Sequence, residues 1–245
     1  MLSYQHAYHA GGPADVHKHI ALARMLAHLT RTPRGITYME THAGRGLYDL
    51  NSPETRKTGE AAEGIDIADL QGEPFQQALA DTKAAFGPTA YPGSPAVAAM
   101  MLRPQDEMHL MELHPAEHEA LTRSLPGAHI ERRDGYEGVM SLSPPTPRKG
   151  LILIDPSYEV KDEYAHVGKW VPRLMHKWPQ ATVIIWYPIL RAARHEQMFD
   201  LLASQNPIRH EMAFNLKDGK GMTGSGLLII NAPEGFDAGP RALLS

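Results

Sequence analysis

The sequence of 245 residues contains no cysteine. Disulfide frameworks, thiolate zinc sites and cysteine nucleophiles are therefore excluded, and a cytoplasmic location is the expectation. Long hydrophobic runs are also missing: no stretch approaches the ~20 apolar residues that a membrane span needs, so no membrane association is expected. The opening Met1-Leu2-Ser3-Tyr4-Gln5-His6 has neither the basic start nor the apolar run of a secretion signal. No internal repeat or low-complexity segment is evident, which sets solenoids and linkers aside. Positive charge is not in excess either, since 24 Lys+Arg against 28 Asp+Glu leave a formal net charge of −4. Affinity for phosphate comes from neutralising Lys and Arg, so contact with a nucleic acid has to be local. The candidate basic spots are Arg31 with Arg34, Arg132-Arg133, Arg148-Lys149, Arg191 with Arg194, and Lys217 with Lys220. Pairs of this kind are more often a solvated face than a phosphate clamp.

What remains is the composition of an ordinary globular protein, 42% hydrophobic and 21% charged. Its length suits one large domain or one domain with an insertion. Helical spacing of Val16, Ile20, Ala23, Met25, Leu26 and Leu29, with Asp15 near the start, predicts a first helix that ends before Pro33. Residues 35–41 read as a strand that runs directly into His42-Ala43-Gly44-Arg45-Gly46. From about Asn51 to Tyr91 there are prolines, glycines and two helix-like stretches, 59–70 and 74–86, with no strand pattern. This segment reads as a helical insertion, giving a main domain of residues 1–50 and 92–245 and an inserted helical subdomain of residues 51–91. Ser94 is a plausible N-cap for the next helix, with Pro95 at its first position. Further strands are predicted at 108–113, 128–132, 150–154 and 181–187, and residues 211–215 and 226–230 are expected to pair across a loop. Continuous apolar strands alternating with helices imply a mostly parallel sheet covered on both faces, a Rossmann-like α/β architecture. Ligands of such sheets bind beyond the C-terminal ends of the strands.

Those ends carry His42-Ala43-Gly44-Arg45-Gly46, Glu112, Asp134-Gly135 and Asp155-Pro156-Ser157-Tyr158. Three of them present a carboxylate. A glycine loop lets main chain approach a cofactor, and an acid ending the following strand can accept both ribose hydroxyls. A further acid ending the third strand can accept from an adenine amino group. The set describes a nucleoside cofactor lying across the sheet edge without separating S-adenosylmethionine from NAD, although Gly44-x-Gly46 lacks the third glycine of the dinucleotide fingerprint.

Asp155-Pro156-Ser157-Tyr158 discriminates further, because it resembles the Asp-Pro-Pro-Tyr signature of amino-group methyltransferases. The N6 lone pair of adenine is delocalised into the ring, so this nitrogen is a poor nucleophile until its protons are held by acceptors. The Asp155 carboxylate and the Pro156 main-chain carbonyl are suited to that task, and Asp155 can also take up the released proton. Tyr158 is expected to stack on the flipped base. Attack on a sulfonium methyl is a direct displacement that needs no metal, and positioning does most of the work.

The N-terminal run Met1-Leu2-Ser3-Tyr4-x-His6-x-x-His9-Ala10-Gly11-x-x-Ala14-Asp15-Val16-x-Lys18-His19 resembles the opening of the large-subunit (23S) ribosomal RNA adenine-N6 methyltransferase J family. The likeness continues through Thr41-His42-Ala43-Gly44, Thr58-Gly59-Glu60, Tyr91-Pro92-Gly93-Ser94-Pro95, Glu112-Leu113-His114-Pro115, Asp134-Gly135, residues 150–156, Trp186-Tyr187-Pro188 and Gly221-Met222-Thr223. The resemblance implies a monomeric class I S-adenosylmethionine-dependent methyltransferase with a mostly parallel seven-stranded sheet and a small helical insertion. Its implied substrate is one adenine of 23S rRNA, and its implied product is S-adenosylhomocysteine. By position, Lys18, His19, His42, Ser94, Glu112, Asp134, Gly135 and Asp155 are implied to line the cofactor site, with Asp155, Pro156 and Tyr158 catalytic. Tyr4 and Tyr158 are implied to form the substrate pocket, with Lys18 beside it. The free N–H groups at a helix start favour a carboxylate such as the methionine tail of the cofactor.

Two departures stand out. Ser157 replaces the second proline of the signature, which is expected to loosen the loop rather than abolish activity. The sequence also ends soon after Pro233, earlier than is usual for the family, which bears on packing and RNA contact there. Three alternatives stay open: a DNA adenine methyltransferase, a catalytically weak nucleic-acid-binding relative, and a metal-dependent hydrolase built on His6, His9, His17 and His19. The last is disfavoured because His17 and His19, two apart on a helix, point to different sides.

Overall fold

The computed structural model describes residues 6–214 and 221–242. Tyr4, Asn215, Lys217 and Lys220 lie outside the described residues. In chain order the elements are α1 (Pro13–Leu29), β1 (Thr37–Glu40), β2 (Leu47–Asp49), α2 (Pro53–Thr58), α3 (Pro74–Phe86), β3 (Ala90–Pro92), α4 (Ser94–Met101) and β4 (Glu107–Met111). They continue with α5 (Pro115–Ser124), β5 (His129–Glu131), α6 (Gly135–Leu142), β6 (Gly150–Ile154), α7 (Glu163–Lys177), β7 (Ala181–Leu190), α8 (His195–Leu202), β8 (Ile208–Ala213) and β9 (Met222–Ile230).

Seven strands form one sheet in the order β5-β4-β1-β6-β7-β9-β8. The first five run parallel, and β9 inserts antiparallel between β7 and β8. Side chains alternate between the two faces of a strand, and β6 shows the consequence. Leu151 and Leu153 join a core with α1 and α4, whereas Ile152 and Ile154 join a second core with α6, α7 and α8. A strand buried on both faces has to be apolar at every position, which is why Gly150–Ile154 reads as an unbroken run. The chain passes from β1 to β4 on one side and places β6 on the other. A crevice therefore opens at the C-terminal end of β1, where the strand order reverses.

Helix α1 begins at Pro13, whose missing N–H would be unsatisfied there in any case. Asp15 reaches back so that one of its oxygens accepts the Gly11 N–H at 3.2 Å. The helix is buried on nearly all sides, and Asp15, His17, Lys18 and His19 are buried with it. Buried ionisable groups of this kind are costly unless they are paired.

Several local expectations are corrected. The stretch 59–70 holds only a short 3-10 turn, Glu60–Glu63, followed by turns, because Gly59 and Gly64 flank it and interrupt helical propagation. The region read as strandless is bounded by a small two-stranded antiparallel sheet of β2 and β3, too short for alternation to register. Ser94 does not cap α4. Gly93 holds the N-cap position, and the Ser94 hydroxyl donates instead to Glu40 Oε2 at 2.9 Å. Residues between β2 and β3 share the main core, since Ala61, Ile65, Phe75, Ala78 and Leu79 cluster with Ile20, Tyr91 and Val97.

Phe75 is fully buried and meets Tyr91 edge to face at 6.2 Å. Phe75→Ala is expected to destabilise the whole protein by about 3–5 kcal/mol in a single transition, seen as coincident urea curves by circular dichroism and fluorescence. A separate early transition would show that residues 51–91 fold as an independent unit.

Candidate active site

The ends of β1, β4 and β6 wall a cavity of about 240 Å³. His42, Ala43 and Gly44 come from the loop after β1, Glu112 follows β4, and Asp155 and Pro156 follow β6. Lys18 and His19 of α1 and Ser94 of α4 complete the wall. A second cavity of about 300 Å³ shares His6, Lys18, Asp155, Ser157 and Glu159 with the first. Tyr158, Trp186 and Pro188 belong to the second alone. Two chambers thus meet at Asp155 and Lys18.

At this junction Lys18 Nζ lies 2.5 Å from Asp155 Oδ2 and 3.0 Å from Asp15 Oδ1. Burial alone would push the Lys18 ammonium down, but Asp15 and Asp155 outweigh it and hold its pKa above the ordinary value. Asp15 is likewise resisted by burial, yet His6, Lys18 and His19 hold it well below the usual carboxylate range. His6 Nε2 sits 2.9 Å from Asp15 Oδ1. The result is a chain of hydrogen-bonded polar groups, His6, Asp15, Lys18 and Asp155, running along the partition between the chambers.

In the first chamber, Glu112 accepts N–H bonds from Gly44 at 2.8 Å and His114 at 2.7 Å. An ionised carboxylate offers about four acceptor positions, so Glu112 keeps capacity for ligand hydroxyls; burial pushes its pKa up. Gly44 adopts φ +62, a left-handed turn for which glycine is suited. His19 Nδ1 pairs with the Tyr91 hydroxyl at 2.9 Å, while its buried Nε2 has no hydrogen-bond partner among the described residues and lies 3.8 Å from Asp15. Behind the wall, Glu40 accepts from Tyr38 and Ser94, and burial raises its pKa to about 8.

The structure brings Lys18, His19, His42, Ser94, Glu112, Asp155 and Pro156 together on the first chamber. Asp134 and Gly135 do not line it. Asp134 caps α6 by accepting the Glu137 N–H at 3.0 Å, and its charge is felt by His42. A Cβ on Gly135 would fall 1.8 Å from the Thr41 carbonyl, so only glycine lets α6 start this close to β1. Tyr158 lines the second chamber, but it is 7% exposed and its ring is already stacked on Tyr164 at 4.3 Å.

Sequence reasoning missed Glu40, Glu117 and Glu163, and it placed His6 and Trp186 within the family motifs without giving either a role in the site. Glu40 had a local signal, a charge closing a buried strand. Glu117, paired twice with Arg45, and Glu163, which accepts the Tyr158 N–H at 3.1 Å, act through contacts 72 and 5 residues away. The four histidines of the hydrolase alternative diverge: His6 turns to Asp15, His9 to Glu60, His17 to Ser225 and His210, and His19 to Tyr91. No group of three His, Cys, Asp or Glu among the described residues is arranged to hold a metal ion.

Residues 33–245 match the family model described as Ribosomal RNA large subunit methyltransferase D, RlmJ. The chain is 37% identical to Ribosomal RNA large subunit methyltransferase J of Haemophilus influenzae, an alignment spanning 95% of this chain and 88% of that protein. It is 34% identical to the Escherichia coli protein of the same name over the same shares. A crystal structure of a Legionella pneumophila protein, 37% identical, superimposes with a TM-score of 0.84 over 93% of this chain and 88% of its own.

The burial of His17 and His19 sets an acid limit. Desolvation lowers both imidazoles from 6.5 to about 3, so the unfolded chain binds their protons first as pH falls. Their contribution is whole above pH 6.5 and is lost as pH falls from there toward 3, with a slope of up to roughly 1.4 kcal/mol per pH unit for each group. Urea midpoints measured between pH 7.5 and 4.5 are expected to fall with acidity, and His17→Gln to flatten the curve. A midpoint independent of pH in both proteins would contradict this.

Proposed function

The chain belongs to the ribosomal RNA large subunit methyltransferase J family, and on that premise we propose that it moves a methyl group from S-adenosylmethionine to the N6 amino group of one adenine in 23S rRNA. The observation that carries this reading is the meeting of two chambers at Asp155, because methyl transfer needs donor and acceptor bound side by side with one group reaching both.

The first chamber suits the donor. Glu112 has acceptor capacity left for ribose hydroxyls, and the unpartnered Nε2 of His19 suits a polar atom of a bound ligand. His42, Ser94 and Lys18 complete this wall, with Asp134 and Gly135 supporting it from α6. When bound, S-adenosylmethionine supplies an electrophilic methyl on a sulfonium centre.

The chain's own groups prepare the amino nitrogen. Lys18 occupies Asp155 Oδ2, which leaves Oδ1 to accept one N6 proton, and the Pro156 carbonyl accepts the other. Held in this way, the N6 lone pair turns out of the ring plane toward the methyl carbon. As the carbon–nitrogen bond forms and the carbon–sulfur bond breaks, the sulfur keeps the bonding electrons. N6 then releases one proton to Asp155 or to water. Positioning and desolvation supply most of the rate.

RNA phosphates are assigned to Arg191 and Arg194, which follow β7 on the edge that carries the chambers. Arg31, Arg34, Arg148 and Lys149 precede β1 and β6 and so lie at the opposite end of the parallel strands. Residues 51–91 are read as an inserted subdomain that fastens the N-terminal turn carrying His6. Thr55 donates to the Ala7 carbonyl at 3.0 Å, Ile65 to the Gly11 carbonyl at 2.8 Å, and Glu60 meets His9 at 2.9 Å. Tyr4, outside the described residues, is assigned to the substrate pocket by family likeness. Both chambers are walled by one chain, which suits a monomer acting in the cytoplasm.

Asp155→Ala is expected to lower the rate of methyl transfer to unmethylated 23S rRNA by roughly 10²-fold or more. Binding of S-adenosylmethionine, followed by calorimetry, is expected to stay close to wild type. Wild-type turnover in this variant would refute the assignment of Asp155 as amino-group acceptor.

A further inference from the structure

A run of buried polar groups extends from the second chamber to the far side of α1. Trp186 Nε1 donates to Ser225 Oγ at 2.9 Å, and Ser225 Oγ is 2.9 Å from His17 Nδ1. His17 Nε2 is 2.9 Å from His210 Nδ1, and His210 Nε2 is 3.1 Å from the Gly239 carbonyl. Ser225, His17 and His210 are all buried.

One proton arrangement satisfies every member. A carbonyl only accepts, so His210 Nε2 carries hydrogen, and in the neutral ring Nδ1 is then a bare acceptor. His17 Nε2 must therefore donate to it, which leaves His17 Nδ1 bare. Ser225 donates to that nitrogen and turns a lone pair to the indole N–H. Burial, which lowers the pKa of both histidines, keeps the rings neutral as this arrangement requires.

The far end of the run is fixed as firmly. The Trp186 carbonyl accepts the Tyr158 hydroxyl at 2.9 Å, so main chain and indole are both anchored. With its indole N–H committed to Ser225, the ring has no polar group left to offer the chamber it lines. Lys18 Nζ stands 6.0 Å from the ring centroid, which places the indole beside the Lys18–Asp155 pair.

We infer that Trp186 is the platform on which the target base is laid, and that Ser225, His17 and His210 are positioning residues that fix the plane of its indole. Tyr158, whose ring is occupied by Tyr164, anchors the platform instead of forming it. The inference rests on reading the second chamber as the base pocket. A fixed aromatic plane beside Asp155 sets the height at which the amino group meets the carboxylate, and it favours a flat base over a sugar or a phosphate.

The test compares wild type with Trp186→Leu, Trp186→Phe and Ser225→Ala, using unmethylated 23S rRNA and S-adenosylmethionine. Trp186→Leu is expected to raise KM for RNA roughly 10- to 100-fold, the range that a lost base stack spans. Trp186→Phe keeps a ring and is expected to restore most of that loss. Ser225→Ala frees the indole and is expected to raise KM for RNA about 3- to 10-fold. The dissociation constant for S-adenosylmethionine is expected to stay close to wild type in Ser225→Ala and Trp186→Phe, whereas the melting temperature of Ser225→Ala is expected to fall by several degrees, because Trp186 Nε1 and His17 Nδ1 lose a buried partner. Unchanged KM in folded Trp186→Leu and Ser225→Ala would overturn the inference while leaving the methyltransferase reading intact. Should Trp186→Leu fail to fold, an unchanged KM in Ser225→Ala overturns it alone. Loss of S-adenosylmethionine affinity in step with RNA affinity would also overturn it, since the tryptophan would then support the whole site. A wild-type chain that methylates no adenine would instead sink the reading of the chamber itself, and this inference with it.

Discussion

Lys18 is held between Asp15 and Asp155 at 3.0 and 2.5 Å, in a place where hardly any water reaches it. Taking three charges out of water is expensive, and removing one partner of such a group typically costs about 3–5 kcal/mol because an uncompensated charge stays behind. The arrangement therefore does more than stabilise. It ties the second turn of α1 to the end of β6 and holds one oxygen of Asp155, so the other oxygen has a defined direction. Asp15 in turn is braced by His6 and by the Gly11 N–H, which brings the N-terminal turn into the same network. Fold and chemistry share a single set of charges.

Some groups around this charged partition are kept neutral. Burial lowers the pKa of His17 and His19 to about 3 and raises Glu40 to about 8, so these three carry little charge near neutrality. Low polarity strengthens the few charges that remain. The same economy governs RNA contact. With a net charge of −4, the chain has no general attraction for phosphate, and the parallel sheet places only some of its basic pairs on the working edge.

The architecture was legible because parallel strands buried on both faces must be apolar throughout, and Gly150–Ile154 and Ala181–Leu190 carry that pattern plainly. Once strands are located, the rule that ligands sit at their C-terminal ends selects His42, Glu112 and Asp155 without any tertiary information. Lys18 and His19 came from family likeness instead, since a helix in isolation gives no reason to bury a lysine. Trp186 was legible as a strand residue and as part of a block shared with the family, but without a role. Its indole acquires meaning from Ser225, 39 residues on, and from His17 at the other end of the chain. The pairing of β2 with β3 escaped notice for a different reason, because three residues are too few to show a period.

Ser157 shows how such distant contacts replace a local one. A second proline would have fixed φ and removed an N–H at this position. In this chain the rigidity is found one residue later. Tyr158 adopts φ +54, a conformation that bulky residues occupy only when their surroundings impose it. Three contacts impose it: the Tyr158 N–H donates to Glu163, the hydroxyl donates to the Trp186 carbonyl, and the ring stacks on Tyr164. Glu163 and Tyr164 open α7, and Trp186 lies in β7, so the loop after Asp155 is braced by a helix and by the neighbouring strand. A proline ring restrains only its own backbone and that of the residue before it. The tyrosine, by contrast, ties the loop to the wall of the second chamber, so that loop and wall are positioned together.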